Sequence, residues 1–504
     1  MPRIRINGKE IEAPPGRKLL QVCLDHGIYV PHFCWHPGLS PAGNCRMCLV
    51  KVSNSRKLEA SCMVDPVEGL EVWTDTPEVQ EARKSVLEYL LINHPLDCPV
   101  CDKAGECRLQ DYTAAWRNGL SRFGEAKNLR HTKDLGPRVR LWGNRCIVCT
   151  RCVRFCEEVA GTGELAVVRR GDRSVVDVFP GLPLDNPISL NVVDLCPVGA
   201  LNDRDFLYQA RVWFTRSVES LCPSCSRGCN VRITVLDNRI RRMVPRPNLE
   251  VNRYWLCDEG RSHFRYVADP GRLRAGRGSA REIVSAAARL GLAGVISTYQ
   301  TVEEIFLFKR LMEALQARAV GFLTRERGER RVFRDGFAIE TDRTPNRAWA
   351  EALFGRGAVA SGIRPVVEAL RAGTARALLV VNGIPELETP PELEEAARGA
   401  EFLAVADLRN GPLAERARVV LPAAAWAEKD GTFVNVDGRV QRIRRAVDPP
   451  PGVCPEILWL QEALAEAGGP REIRPAEEVF REAMPDLDYS KVGSLGVRRD
   501  GVRS

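Results

Sequence analysis

No stretch of this sequence approaches the ~18–20 consecutive apolar residues that a membrane helix needs. The longest apolar runs, such as Ala377–Val381, have the length of core strands. The opening residues, MPRIRINGKEIEAPPG, lack the apolar segment of a secretory signal. Both absences point to a soluble, cytosolic protein. Neither sign of charge dominates: 73 basic against 65 acidic residues leave +8 over 504 positions, too mild to argue for nucleic acid. Six histidines leave little material for a Ser/His/Asp arrangement, and none is visible. There is no Walker A loop. Two G-x-G-x-x-A strings, at 161–166 and 355–360, follow helical stretches instead of strands. That is the wrong context for a dinucleotide fingerprint, so NAD is not expected on this chain. Cysteine is nearly missing from the second half, where only Cys454 follows Cys257. Cys454 is expected to be a packing residue.

What the sequence does have is cysteine in its first half. Of 18 cysteines, all but Cys454 lie at or before position 257. A reducing cytosol disfavours disulfides, and grouped short spacings in such a compartment read as metal ligands. Soft thiolates favour zinc or iron–sulfur clusters.

Length alone suggests three or more domains at roughly 150 residues each. Residues 2–6 and 9–13 alternate around Asn7-Gly8, which predicts a hairpin. A helix is expected over 18–26, strands over 48–52 and 58–64, and a closing strand at Glu71–Trp73. Thr76-Pro77 is a helix start, with apolar Val79, Ala82, Val86 and Leu90 at helical spacing. Residues 118–140 read as a polar linker. Beyond about 272, strand-like runs (294–298, 378–382, 402–406, 419–421) alternate with helical ones (282–290, 302–315, 365–370), which predicts a parallel α/β layer. Asp437-Gly438 centres a second hairpin, over 433–443. Arginine-rich stretches at 239–246, 325–334 and 439–445 read as solvated faces, with docking surfaces for acidic partners as the alternative.

Four ligand sets follow in order. Cys34, Cys45, Cys48 and Cys62 offer four thiolates around a turn-forming loop, which suits a 2Fe-2S cluster, with a four-cysteine zinc site as the alternative. Cys23 falls outside this set and reads as a buried small residue. His94, Cys98, Cys101 and Cys107 suit a 4Fe-4S cluster or a structural zinc; otherwise His94 is a helix-terminal cap. The run Cys146, Cys149, Cys152, Cys156 has the bacterial ferredoxin spacing, in which the fourth cysteine serves another cluster. Cys196-Pro197 closes the partner run, but its other positions hold Asn186, Ser189 and Val192. One 4Fe-4S cluster on Cys146, Cys149, Cys152 and Cys196 is therefore expected, with Cys156 left over. Cys222, Cys225, Cys229 and Cys257 again suit 4Fe-4S, against a zinc ribbon, whose two separated C-x2-C pairs this single distant cysteine does not match. Four such sets in a row make a relay of single electrons the plain use.

The motifs PHFCWHPGLSPAGNCRMCLV, NHPLDCPVCDKAGECRLQD, NRCIVCTRCVRFCEEVAG, LCPVGAL and CPSCSRGCNV resemble those of the 75 kDa subunit family of NADH-quinone oxidoreductase, respiratory complex I, called the G subunit in bacteria. The resemblance covers residues 1 to about 270 and continues more weakly through VVLPAAAWAEKDGTFVNVDGRVQ. It implies a multidomain α+β and α/β chain. The expected parts are a β-grasp-like 2Fe-2S ferredoxin domain (1–75), a helical 4Fe-4S domain with one histidine and three cysteine ligands (76–117) and a 4Fe ferredoxin-like domain (138–214). A 4Fe-4S molybdopterin-oxidoreductase-type domain (215–272) and a shortened molybdopterin-oxidoreductase-like α/β domain without cofactor (273–504) complete it.

The resemblance also implies one 2Fe-2S and three 4Fe-4S clusters on the sixteen ligands above, with no molybdopterin and no flavin on this chain. Electrons from NADH would arrive through the flavin of the NADH-binding F subunit. They would leave toward the ferredoxin-like I subunit and quinone, with the complex coupling this to proton translocation. The E, C and D subunits would be further partners. The chain would have no catalytic site of its own and would touch the cytoplasmic side of the inner membrane only through the complex. The rivals are the large subunit of an NAD-linked formate dehydrogenase, a diaphorase-linked subunit of a soluble hydrogenase, and a zinc-bound scaffold.

Overall fold

The first strand pair is set by its turn. Arg3–Ile6 and Lys9–Glu12 run antiparallel with Ile4 opposite Ile11. Asn7 (φ 51°) and Gly8 (φ 84°) supply the two left-handed positions of a tight hairpin. A computed structural model describes residues 1–116, 121–385 and 389–499. The expected domain end at 117, the first linker residues at 118–120 and the last stretch of the final domain at 500–504 lie outside the described residues. Contacts divide the chain into two units. One is Met1–Thr215 with Phe333–Gly336; the other is Arg216–Val332 with the chain from Phe337 onward.

In the first unit the hairpin joins a five-stranded sheet in the order Lys9–Glu12, Arg3–Ile6, Glu71–Trp73, Leu49–Val52, Glu59–Ala60. Glu71–Trp73, expected to close the sheet, lies at its centre, parallel to the first strand and antiparallel to Leu49–Val52. Helix Leu19–Asp25 buries Leu19, Leu20, Val22 and Cys23 against this sheet's core. Helix Pro77–Leu91 begins where expected. Thr76 accepts a hydrogen bond from the Val79 amide at 3.2 Å, and Pro77 occupies the first turn, where its missing N–H costs nothing. The linker reading is corrected at its far end, because Thr132–Asp134 pairs with Val139–Trp142, which pairs with Leu201–Asp203. Residues 132–134 have no apolar alternation, since none of the three is buried.

The second unit opens with an antiparallel sheet of Arg216–Leu221, Asn230–Leu236 and Arg239–Pro245. Its parallel sheet has the order Ala319–Leu323, Leu292–Ser297, Ala377–Val381, Phe402–Asp407, Val419–Pro422. Numbered along the chain this is 2-1-3-4-5, whose ligand crevice lies at the strand carboxyl ends where the order reverses. Here Ser297 Oγ and Gln300 Nε2 both donate to the Asn382 carbonyl, at 2.5 and 2.7 Å. Behind them, the buried Lys429 ammonium donates to Glu304 (2.8 Å), Glu456 (2.9 Å) and Gln300 (3.1 Å). Glu304 also completes a capping box with Thr301 at the head of helix Val302–Ala314. The hairpin at Asp437-Gly438 forms as Gly431–Val434 and Arg439–Ile443.

The reading of the arginine stretches as solvated is corrected in part. Arg246 and Arg439 are buried, donating to the carbonyls of Ser494 and Gly496. The stretch 325–334 is mostly exposed, as expected.

Candidate metal centres

Each cysteine set is held on a loop that contains at least one left-handed residue: Arg46 (φ 57°) in the first, Gly105 (φ 85°) in the second, Val148 (φ 50°) and Thr150 (φ 62°) in the third, Gly228 (φ 65°) in the fourth. A β-branched residue at positive φ is strained, so Val148 and Thr150 mark a loop wound tightly against its preference. Such winding turns several side chains toward one interior.

In the first set, Cys34, Cys48 and Cys62 are buried and Cys45 is half-buried. Their sulfurs touch: hydrogen bonds from Cys45 and Cys62 draw the Cys34 thiol down, and the same contacts push those two up. Cys48 also bonds Cys62. The Cys34 amide points at Cys45 Sγ, 3.4 Å away. Cys23 stands apart in the sheet's core, its thiol pushed up to about 12 by burial, as expected of a packing residue.

In the second set, His94, Cys98 and Cys107 line one cavity of about 920 Å³. Cys101 lies against Gly199, where a Cβ would overlap its Sγ. Lys127 Nζ donates to the carbonyls of Ile92 and His94, both at 2.8 Å, so it closes the end of helix Pro77–Leu91 and fixes the His94 backbone. Burial, with Arg145 nearby, pushes the His94 imidazole down to about 4, which keeps it neutral and able to act as a ligand.

In the third set, Cys146, Cys149, Cys152 and Cys196 line a single cavity together with Arg151. Cys156 does not line it. It is buried beside Glu164, which raises its thiol, as burial does more strongly. Asn186 donates to the same Glu164 at 3.0 Å, and Asn186, Ser189 and Val192 are all buried. At the positions that would complete a second ferredoxin run the chain thus carries buried side chains without a thiol, one of them hydrogen-bonded to Glu164. Burial pushes Cys146 up to about 11 and Cys149 up to about 12, a cost that a bound cation would remove.

In the fourth set all four cysteines are buried. Cys222 and Cys229 close the turn between strands Arg216–Leu221 and Asn230–Leu236, the amide of one bonding the carbonyl of the other at 2.8 Å. The distant Cys257 is brought to them through Gly260, where a Cβ would stand 2.8 Å from Cys222 Sγ and 3.1 Å from Cys257 Sγ.

Among the described residues no three His, Cys, Asp or Glu side chains converge in a way that would hold one metal ion. The donor sets are nevertheless soft, and all four donors of the third and three of the second line cavities. Sequence reasoning missed Gly199, Gly260 and Arg151. None of the three carries a signal of its own in a single sequence.

Five segments match known families. Residues 2–77 match a 2Fe-2S iron-sulfur cluster binding domain, and 83–119 the NADH-ubiquinone oxidoreductase-G iron-sulfur binding region. Residues 136–202 match the ferredoxin-like domain of NADH-quinone oxidoreductase subunit 3. Residues 215–269 match the molybdopterin oxidoreductase Fe4S4 domain and 360–467 molybdopterin oxidoreductase. The molecule is therefore a multidomain protein with 2Fe-2S ferredoxin, 4Fe-4S and molybdopterin-oxidoreductase domains.

The G subunit of the NADH-quinone oxidoreductase of Rickettsia conorii is 42% identical over 264 residues, which is 52% of this chain and 39% of that protein. The NADH-ubiquinone oxidoreductase 75 kDa subunit of Reclinomonas americana is 44% identical over 261 residues, 52% and 38% of the two chains. The mitochondrial NADH dehydrogenase (ubiquinone) iron-sulfur protein 1 of Solanum tuberosum is 37% identical over 336 residues, 66% and 45%. A crystal structure of an NAD+-reducing NiFe-hydrogenase aligns with a TM-score of 0.39 and 30% identity, over 42% of this chain and 91% of that one. The resemblance read from the motifs is borne out, while the chain spans about two fifths of the length of the first curated relatives it matches.

Proposed function

We propose that this chain is the iron–sulfur electron-transfer subunit of an NADH-quinone oxidoreductase. It would relay electrons from NADH, by way of the flavin on a partner subunit, toward quinone, within a complex that couples the transfer to proton translocation. The observation that carries this reading is the third set: four cysteines from two distant segments line one buried cavity, and the leftover cysteine of the ferredoxin run stands outside it.

The proposed ligands are Cys34, Cys45, Cys48 and Cys62 for a 2Fe-2S cluster. Three 4Fe-4S clusters are assigned to His94, Cys98, Cys101 and Cys107; to Cys146, Cys149, Cys152 and Cys196; and to Cys222, Cys225, Cys229 and Cys257. When bound, these groups supply reversible one-electron storage. The chain's own residues hold them, exclude water by burial and aim backbone amides at the sulfurs, as Val148 and Gly260 do toward Cys146 and Cys257 (3.4 and 3.2 Å). Such hydrogen bonds and burial are the protein's means of tuning potentials.

The five domains proposed keep the boundaries expected from the sequence, with a β-grasp-like sheet in the first and a shortened α/β domain last. For that last domain the reading is that it holds no molybdopterin. Supporting it, the Lys429 network sits behind the crevice at the strand ends, and the late Cys454 is half-buried against its neighbour's carbonyl. The proposed partners are the flavin- and NADH-binding F subunit and the E, I, C and D subunits. The proposed location is the cytoplasmic side of the inner membrane, reached through the complex. Among the described residues no helix is long and apolar enough to cross a membrane.

Anaerobic purification tests the reading by iron, labile-sulfide, zinc and molybdenum analysis with electron paramagnetic resonance after reduction. The expected result is iron and sulfide for one two-iron and three four-iron centres. Zinc without iron or sulfide in a folded protein overturns it, and stoichiometric molybdenum overturns the assignment of the last domain.

A further inference from the structure

Within the first unit, one guanidinium has contacts that belong to two cysteine sets. Arg151 lies inside Cys149-x2-Cys152 and is 4% exposed. Its Nη1 donates to the carbonyl of Leu195 at 3.1 Å, one residue before Cys196 of the third set. Its Nη2 donates to the carbonyl of Trp35, one residue after Cys34 of the first. The third nitrogen, Nε, is buried without a hydrogen-bond partner. The side chain itself lines the cavity that Cys146, Cys149, Cys152 and Cys196 share. The leading charged groups acting on it, Cys149, Arg108, Cys196 and Cys34, include no carboxylate.

Guanidinium does not shed its proton in proteins, and a buried cation without a counter-ion is costly. The cysteines among these leading neighbours of Arg151 belong to two different sets. Arg154 makes a useful contrast. Its Nη2 donates to the Cys34 carbonyl at 2.5 Å, its Nη1 to the Ser40 carbonyl and its Nε to Thr150 Oγ1 at 3.3 Å, so each of its nitrogens is engaged.

We propose that Arg151 is a shared positioning residue for the first and third centres: its charge favours the reduced form of both, and its spare Nε–H donates to a sulfur of the third. This rests on the iron–sulfur reading above. Reduction adds negative charge, which a neighbouring cation and a hydrogen-bond donor both stabilise, so both influences raise a potential.

The test uses the full chain assembled with its centres, titrated with reductant under electron paramagnetic resonance. Arg151→Gln removes charge and Nε–H together. It is expected to shift both midpoint potentials downward with iron and sulfide content unchanged. Arg151→Lys keeps the charge but has no Nε–H. It is expected to leave the first potential in place, lower the third, and remove one exchangeable-proton coupling from the third centre's ENDOR spectrum in deuterated buffer. A shift of only one potential in Arg151→Gln, or an unmoved third potential or a moved first one in Arg151→Lys, overturns the proposal. Should Arg151→Gln fail to retain iron, the lysine variant decides alone. Wild-type protein with no iron–sulfur signal would instead overturn the underlying reading, and the inference with it.

Discussion

A single missing methyl group matters at Gly199. Its Cα lies so close to Cys101 that a Cβ would overlap Sγ, and the contact is with a short side chain in a packed site, not the far end of a flexible one. Gly199→Ala is expected to cost the second site its iron while the other three keep theirs, read as the loss of one four-iron centre by metal analysis. Gly357→Ala, where nothing lies within 4 Å, is the control and should leave iron content unchanged. Glu303 carries a pH dependence. Burial pushes its carboxyl up to about 7, although Thr432 and Tyr489 donate hydrogen bonds to it. The folded state therefore holds a proton that the unfolded chain, with an ordinary value near ~4.3, has already released. Stability contributed by this group is fully present below the unfolded value and is lost as pH rises through about 7. Urea midpoints of the second unit should fall across that window, and Glu303→Gln should flatten the slope; an unchanged slope would count against the assignment.

Elements were readable where local chemistry and burial agreed. Asn7-Gly8 and Asp437-Gly438 marked their hairpins because left-handed turn positions restrict composition. Thr76-Pro77 marked a helix start for the same kind of reason, and it yields a test. Thr76→Ala removes the 3.2 Å bond to Val79 and should destabilise the helix by about 1 kcal/mol, seen as faster amide exchange in its first turn. One strand was hidden outright, and another was expected but misplaced within its sheet. Thr132–Asp134 buries no side chain and so has no pattern to detect. Glu71–Trp73 is three residues long, and its central place depends on partners some 20 and 65 positions away, which no window along the chain contains. The cysteine groupings were visible because short spacing along the chain is itself what marks them. The role of Arg151 was not, because its partners are backbone carbonyls of residues 35 and 195, which have no signature in sequence.

For the whole molecule, the separate cores are the main fact. The α/β core gathers Leu379, Phe308 and Ile296 among many others, and the N-terminal sheet keeps its own core around Ile6 and Val50. Leu379→Ala is expected to lower one unfolding transition by about 2–5 kcal/mol and leave the N-terminal one in place. Hydrogen exchange resolved by segment would show this, and a uniform loss of protection would reveal a single cooperative body instead.

The ion cluster of Lys429, Glu304 and Glu456 places one cation between two carboxylates. Its three charges interlock, and one of them also heads a helix. Deleting Lys429 leaves both carboxylates in a dry interior without their counter-ion, a penalty of about 3–5 kcal/mol, whereas deleting either glutamate leaves the other still paired with the lysine. The lysine is thus the keystone of this corner, and the substitutions it tolerates are unequal: either acid can be given up before the base can.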